Sequence, residues 1–181
     1  MMGILDRIEK REIRDLLGKG WLTHDFMWFY NTYQEFGMEK ANTLNKATIK
    51  SHAPIEIQRA KKVLGANKEK INTFHDLMDF MLGALELIIP ESVFKQSQFS
   101  APSKNLIHWK WEKGECFAYK GMKQIGLIDK YSCGVMYRIE CWLEALGISY
   151  NIDPKIDRCI MHERGECSGD IKVFLDEQEI S

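Results

Sequence analysis

Two cysteines carry the clearest chemical signal in the 181-residue chain. Cys116 and Cys133 each stand where apolar periodicity restarts, and each is expected in the first turn of a helix. Free backbone N–H groups and the helix dipole favour an anion there. That is one way a protein lowers a thiol pKa and makes a nucleophile. Lys113 and Lys120 lie near enough in sequence to assist Cys116, while Glu115 opposes it. The plainer alternative is that both are small buried hydrophobes, which is common for free cysteine.

A second candidate group lies near the start of the chain. Trp21, His24, Trp28, Asn31 and Glu35 recur at helical spacing beside an apolar stripe, with Asp25 between the two faces. A histidine and a carboxylate flanked by tryptophans suit acid/base work in an aromatic-walled pocket. Neighbouring helical residues point about 100° apart, so His24 and Asp25 need one shared cavity to act together. The alternative is a histidine at a packing seam and a solvent-facing carboxylate. Glu56 and Arg59, three apart, read either as a surface ion pair or as an arginine that grips a ligand carboxylate.

Metal binding is the third chemistry to weigh. Cys133, Cys141, Cys159 and Cys167 have a suggestive spacing. Eight residues of helix separate the first two by about 12 Å, whereas two sulfurs on one zinc sit roughly 4 Å apart, given bonds near 2.3 Å. The smaller set Cys159, His162 and Cys167 can converge across a turn at Glu163–Glu166 and would suit zinc with an open position. A pair of strand cysteines with an exposed histidine is the competing reading. No cofactor is required by the sequence.

These residues depend on elements that the hydrophobic pattern outlines. Helices are expected over 4–18, ending at Gly18 and Gly20, then over 21–36, where Leu22, Phe26, Phe29, Tyr33 and Phe36 form a stripe ended by Gly37. Two more follow over 39–52 and 55–64, divided by Pro54, and another over 73–88 that Pro90 terminates. After Pro90 the period shortens. Ile107, Trp109 and Trp111 alternate as a half-buried strand. Helices over 115–125 and from a Ser132 cap to Gly147 follow, then short strands near 148–152, 156–161 and 170–175. Segregated helices and strands give an α+β class with a mostly antiparallel sheet carrying two helices. The expected parts are residues 1–90 and 91–181, forming one compact unit.

Composition narrows the partners. With 25 basic and 26 acidic residues the net charge is -1, so no footprint for nucleic acid or anionic lipid is present. The most apolar stretch, 80–89, is too short for a bilayer and contains Glu86. Met1 to Leu17 lacks a continuous apolar signal region, and five cysteines, an odd count, point to reduced thiols in a cytoplasm. The amphipathic first helix is compatible with a homodimer.

Several motifs resemble known families. Trp21-Leu22-Thr23-His24-Asp25, Trp28-Phe29, Glu35-Phe36-Gly37, Pro54-Ile55-Glu56 and Arg59 resemble an uncharacterised bacterial and archaeal family. Residues 104–175 resemble the L-2-amino-thiazoline-4-carboxylic acid hydrolases in Cys116, Gly126, Cys133, Asp153-Pro154-Lys155 and Gly165-Glu166-Cys167. Phe117 and Gly134 stand where those hydrolases carry a proline and an acid. More remotely, Cys133 to Gly147 is similar to vinyl-reductase-like domains that bind small hydrophobic ligands. The resemblance implies a hydrolase that opens a cyclic amidine or thioimidate, with Cys116 as nucleophile, Cys133 assisting and His24 or Asp25 as acid/base. The alternative is a non-catalytic, sensor-like domain holding a small hydrophobic ligand against Trp21 and Trp28, or holding a metal.

Overall fold

The structure is a computed structural model that describes residues 3–66 and 71–175. A short 3-10 turn, Ile4–Arg7, precedes α1, which runs over Lys10–Val63 and breaks once, at Gly37 (φ 77°). That backbone conformation is open to glycine and strained for a side chain. The two halves of α1 run alongside each other in opposite directions. Lys10 and Arg14 share one cavity with Arg59 and Val63. Nearer the bend, Phe26 and Phe29 share another with Asn45 and Ile49.

The divisions expected at Gly18, Gly20 and Pro54 are absent. Gly18 is buried mid-helix because Pro90 packs on it: a Cβ there would lie 3.0 Å from Pro90 Cδ. Pro54 is exposed, so the carbonyl it leaves without a donor can be satisfied by water. The helix continues because Ile49, Ala53, Ile57 and Ala60 keep one apolar face buried through the proline.

Helix α2 (Phe74–Ile88) starts where Thr73 accepts a hydrogen bond from the Asp76 N–H at 3.0 Å. Pro90 ends it and opens the short α3 (Glu91–Phe94). Strands β1 (Ser97–Ser103) and β2 (Leu106–Trp111) form an antiparallel hairpin. They are followed by α4 (Phe117–Gln124), α5 (Gly134–Ala145), β3 (Ser149–Asp153), α6 (Ile160–Arg164) and β4 (Cys167–Phe174).

The fold is α+β. The four strands among the described residues pair antiparallel throughout in the order β1-β2-β4-β3. Ile107 of β2 stands opposite Ile171 of β4, and Met81 and Leu85 of α2 with Ile139 of α5 lie against them. One hydrophobic cluster extends from Phe29 of α1 to Val173 of β4. The strand expected over 156–161 is instead a loop leading into α6. Cys159, Ile160 and Met161 are all buried there, and a buried apolar run does not by itself separate strand from helix. Residues 176–181 of the expected C-terminal part lie outside the described residues. Among the described residues no helix is long and apolar enough to cross a membrane.

Candidate functional site

A cavity of about 340 Å³ lies between the two halves of α1, α4 and the start of α5. Trp21, Phe26, Phe29, Phe117 and Tyr131 supply aromatic wall, and Asp25, Asn45 and Arg138 supply polar groups. The backbone approaches closely at Gly134, where a Cβ would stand 2.9 Å from Asn45 Nδ2. The Gly134 N–H donates to the Tyr131 hydroxyl at 3.0 Å, satisfying one of the free amides at the start of α5. Phe29 meets Tyr131 edge-on at 5.8 Å, and Phe117 meets Trp111 of β2 at 6.1 Å.

Arg138 is the electrostatic centre of this region. Its Nη1 donates to Glu56 Oε1 at 2.5 Å, its Nη2 lies 3.7 Å from Asp25 Oδ2, and its guanidinium sits 4.6 Å from the centre of the Trp21 ring. Trp142 Nε1 donates to the other Glu56 oxygen at 2.9 Å. Glu56 is therefore a buried acid with both oxygens used, and it does not form the surface pair with Arg59. Burial raises the Asp25 carboxyl above its ordinary pKa, against the pull of Arg138.

The expected site residues divide sharply. Trp21 and Asp25 reach the cavity. His24 and Trp28 do not: both are exposed on the outer side of α1, Trp28 by 61%. A shared cavity for His24 and Asp25 is thereby lost, because the 100° turn between them sends one inward and the other outward. Arg59 borders a separate cavity near the chain start.

Cys116 and Cys133 do sit at helix starts, as the caps of α4 and α5. Their neighbours Phe117 and Gly134 line the cavity, while the thiols lie behind it at 6% and 8% exposure. Burial dominates their chemistry. It raises the Cys116 pKa strongly despite the opposing Tyr119 and Ala118 amides, and it raises Cys133 to about 11. Both thiols are protonated at neutral pH.

The metal expectation is corrected. Among the described residues no group of three or more His, Cys, Asp or Glu could hold an ion. Cys159 caps α6 and Cys167 opens β4, but His162 Nε2 pairs with Asp129 at 2.7 Å. The expected turn between the cysteines is partly helix, which directs the histidine to that acid.

The sequence reading missed Arg138, Tyr131 and Phe117, and it misplaced Glu56. A signal for Glu56 existed: Ile49, Ala53, Ile57 and Ala60 mark an apolar helix face, and Glu56 falls on it. An acid on such a face needs a buried partner. No comparable signal marked Arg138, whose partners are 82 and 113 residues away.

No curated protein and no solved structure matches the chain. Residues 5–166 match a family of unknown function (DUF6125), and since this covers most of the chain, the protein belongs to that family.

Proposed function

We propose that the protein is a binding module for a small molecule with a largely apolar body, held in the cavity between α1, α4 and α5. The observation that carries this reading is the cavity itself. It has about 340 Å³, at the lower end of the roughly 300–1,000 Å³ usual for ligand sites, and aromatic walls with a few polar groups. Arg138 and Asp25 provide the polar contacts that orient such a ligand, and Trp21, held by the Arg138 guanidinium, provides a flat wall. Ring opening by Cys116, implied by the hydrolase resemblance, has less support. A nucleophile needs a thiolate open to its substrate, and this sulfur is buried and protonated.

The test is titration with N-phenyl-1-naphthylamine, an uncharged apolar fluorophore. Saturable binding is expected, weakened at least tenfold by Ala118→Phe, which places a ring in the cavity. Dye affinity unchanged in that variant, with its melting temperature preserved, refutes the reading.

A further inference from the structure

The chain contains a second cavity that the first reading does not use. It has about 510 Å³ and lies between the opposite ends of the α1 halves and the end of α2. Leu17, Val63 and Leu87 give it an apolar side, while Lys10, Arg14 and Arg59 give it three cations. Among the described residues its one lining acid is Glu56, whose oxygens are already taken by Arg138 and Trp142.

The cations differ in how they are used. Arg14 is held by its terminal nitrogens: Nη1 donates to the Glu86 carbonyl, and Nη2 lies 3.3 Å from Glu91. Its Nε is buried without an acceptor, which is a costly state for a charged donor. Lys10 and Arg59 have no ion-pair partner among the described residues. Asp15, Glu86 and Glu91 all lie within 4 Å of Arg14 and offset its charge. Lys10 and Arg59, two cations unpaired among the described residues, remain beside an apolar wall, the complement of an anion attached to an aliphatic chain. A guanidinium grips a carboxylate through two parallel bonds, and the apolar side takes the chain from water.

We infer that this cavity binds a carboxylate amphiphile, with Arg59 and Lys10 at the carboxylate and Leu17, Val63 and Leu87 along the chain. Trp21 lines this cavity and the first one. It therefore forms a common wall, although the two sites take different groups.

Calorimetric titration with octanoate, octanol and octylamine tests the inference. Octanoate is expected to bind one per chain, at least tenfold more tightly than either uncharged or cationic analogue. Arg59→Gln, an exposed change, should weaken octanoate about tenfold, the loss of one charge-assisted contact. Ala118→Phe should leave octanoate binding intact. Equal binding of the three compounds, or octanoate affinity insensitive to Arg59→Gln, overturns the proposal. Octanoate binding abolished by Ala118→Phe and retained in Arg59→Gln also overturns it, assigning octanoate to the first cavity and leaving that reading standing. Sedimentation showing a second copy of the chain displaced by octanoate only as a competitor for the apolar side, with no dependence on Arg59, would likewise overturn it.

Discussion

Replacing Glu56 with alanine should be among the most damaging single changes in the protein. The side chain is 6% exposed, and it takes Arg138 on one oxygen and Trp142 on the other. Removing it leaves the fully buried Trp142 indole N–H without an acceptor, a loss of about 1–3 kcal/mol. It also leaves Arg138, 16% exposed, with the more distant Asp25 as its anionic partner and the Trp21 ring beside it. Breaking a buried ion pair from one side costs about 3–5 kcal/mol, and the remaining Asp25 contact argues for the lower part of that range. The expectation is about 4 kcal/mol overall, or roughly 8–16 °C in Tm for a chain of this size. Glu56→Gln keeps the side-chain volume and one acceptor, but it removes the charge and turns an amide N–H2 toward the second donor, so about 2–4 kcal/mol is expected. Urea unfolding of Glu56→Ala, Arg138→Met and the double variant measures both the cost and the coupling. The coupling should reach about 2 kcal/mol. A loss below about 1 kcal/mol for Glu56→Ala, or a coupling below about 0.5 kcal/mol, would refute the assignment of Glu56 as the partner that stabilises buried Arg138.

Three further outcomes follow from the same geometry. Burial holds the Asp25 carboxyl above its ordinary value of 3.8, so the native state keeps this proton to higher pH than the unfolded chain does. Its contribution to stability therefore falls as pH rises through the window that begins at 3.8; unfolding of wild type against Asp25→Asn should show that decline, and a rise there contradicts it. Because Cys116 is buried and protonated, iodoacetamide at pH 8 should label it at least tenfold more slowly in the native protein than in urea, and mass spectrometry showing equal rates would restore the activated-thiol reading. Gly169→Ala should cost about 1–3 kcal/mol, since a Cβ there would fall 2.3 Å from Trp109 Cη2 and 2.5 Å from the Asp153 carbonyl; urea unfolding within 0.5 kcal/mol of wild type, a margin of roughly one ordinary surface change, would show that the strands shift without strain.

Much of the architecture was readable because local chemistry and global packing agree. The α2 cap at Thr73 and its stop at Pro90 were legible in residue type alone, as was the alternation of Ile107, Trp109 and Trp111 in β2. Strand β1 was not. Its residues, Ser97–Ser103, include Pro102 and a single large apolar side chain, Phe99, and its order comes from main-chain pairing to β2. Pro54 misled in the opposite direction, because the apolar face around it outweighs one missing hydrogen bond.

The candidate sites show the same division. Residue types and helical spacing were enough to place Cys116 and Cys133 at helix starts, because capping and periodicity are local properties. Whether those thiols are reactive depends on desolvation, which is set by what the rest of the chain packs over them. The same holds for Asp25 and His24: one helical step apart in sequence, they are separated by which side of α1 faces α4 and α5. Arg138 became the centre of the polar network only when the bend at Gly37 brought Asp25 and Glu56 to the same guanidinium. Burial and long-range pairing are properties of the assembled fold, and no local pattern encodes them.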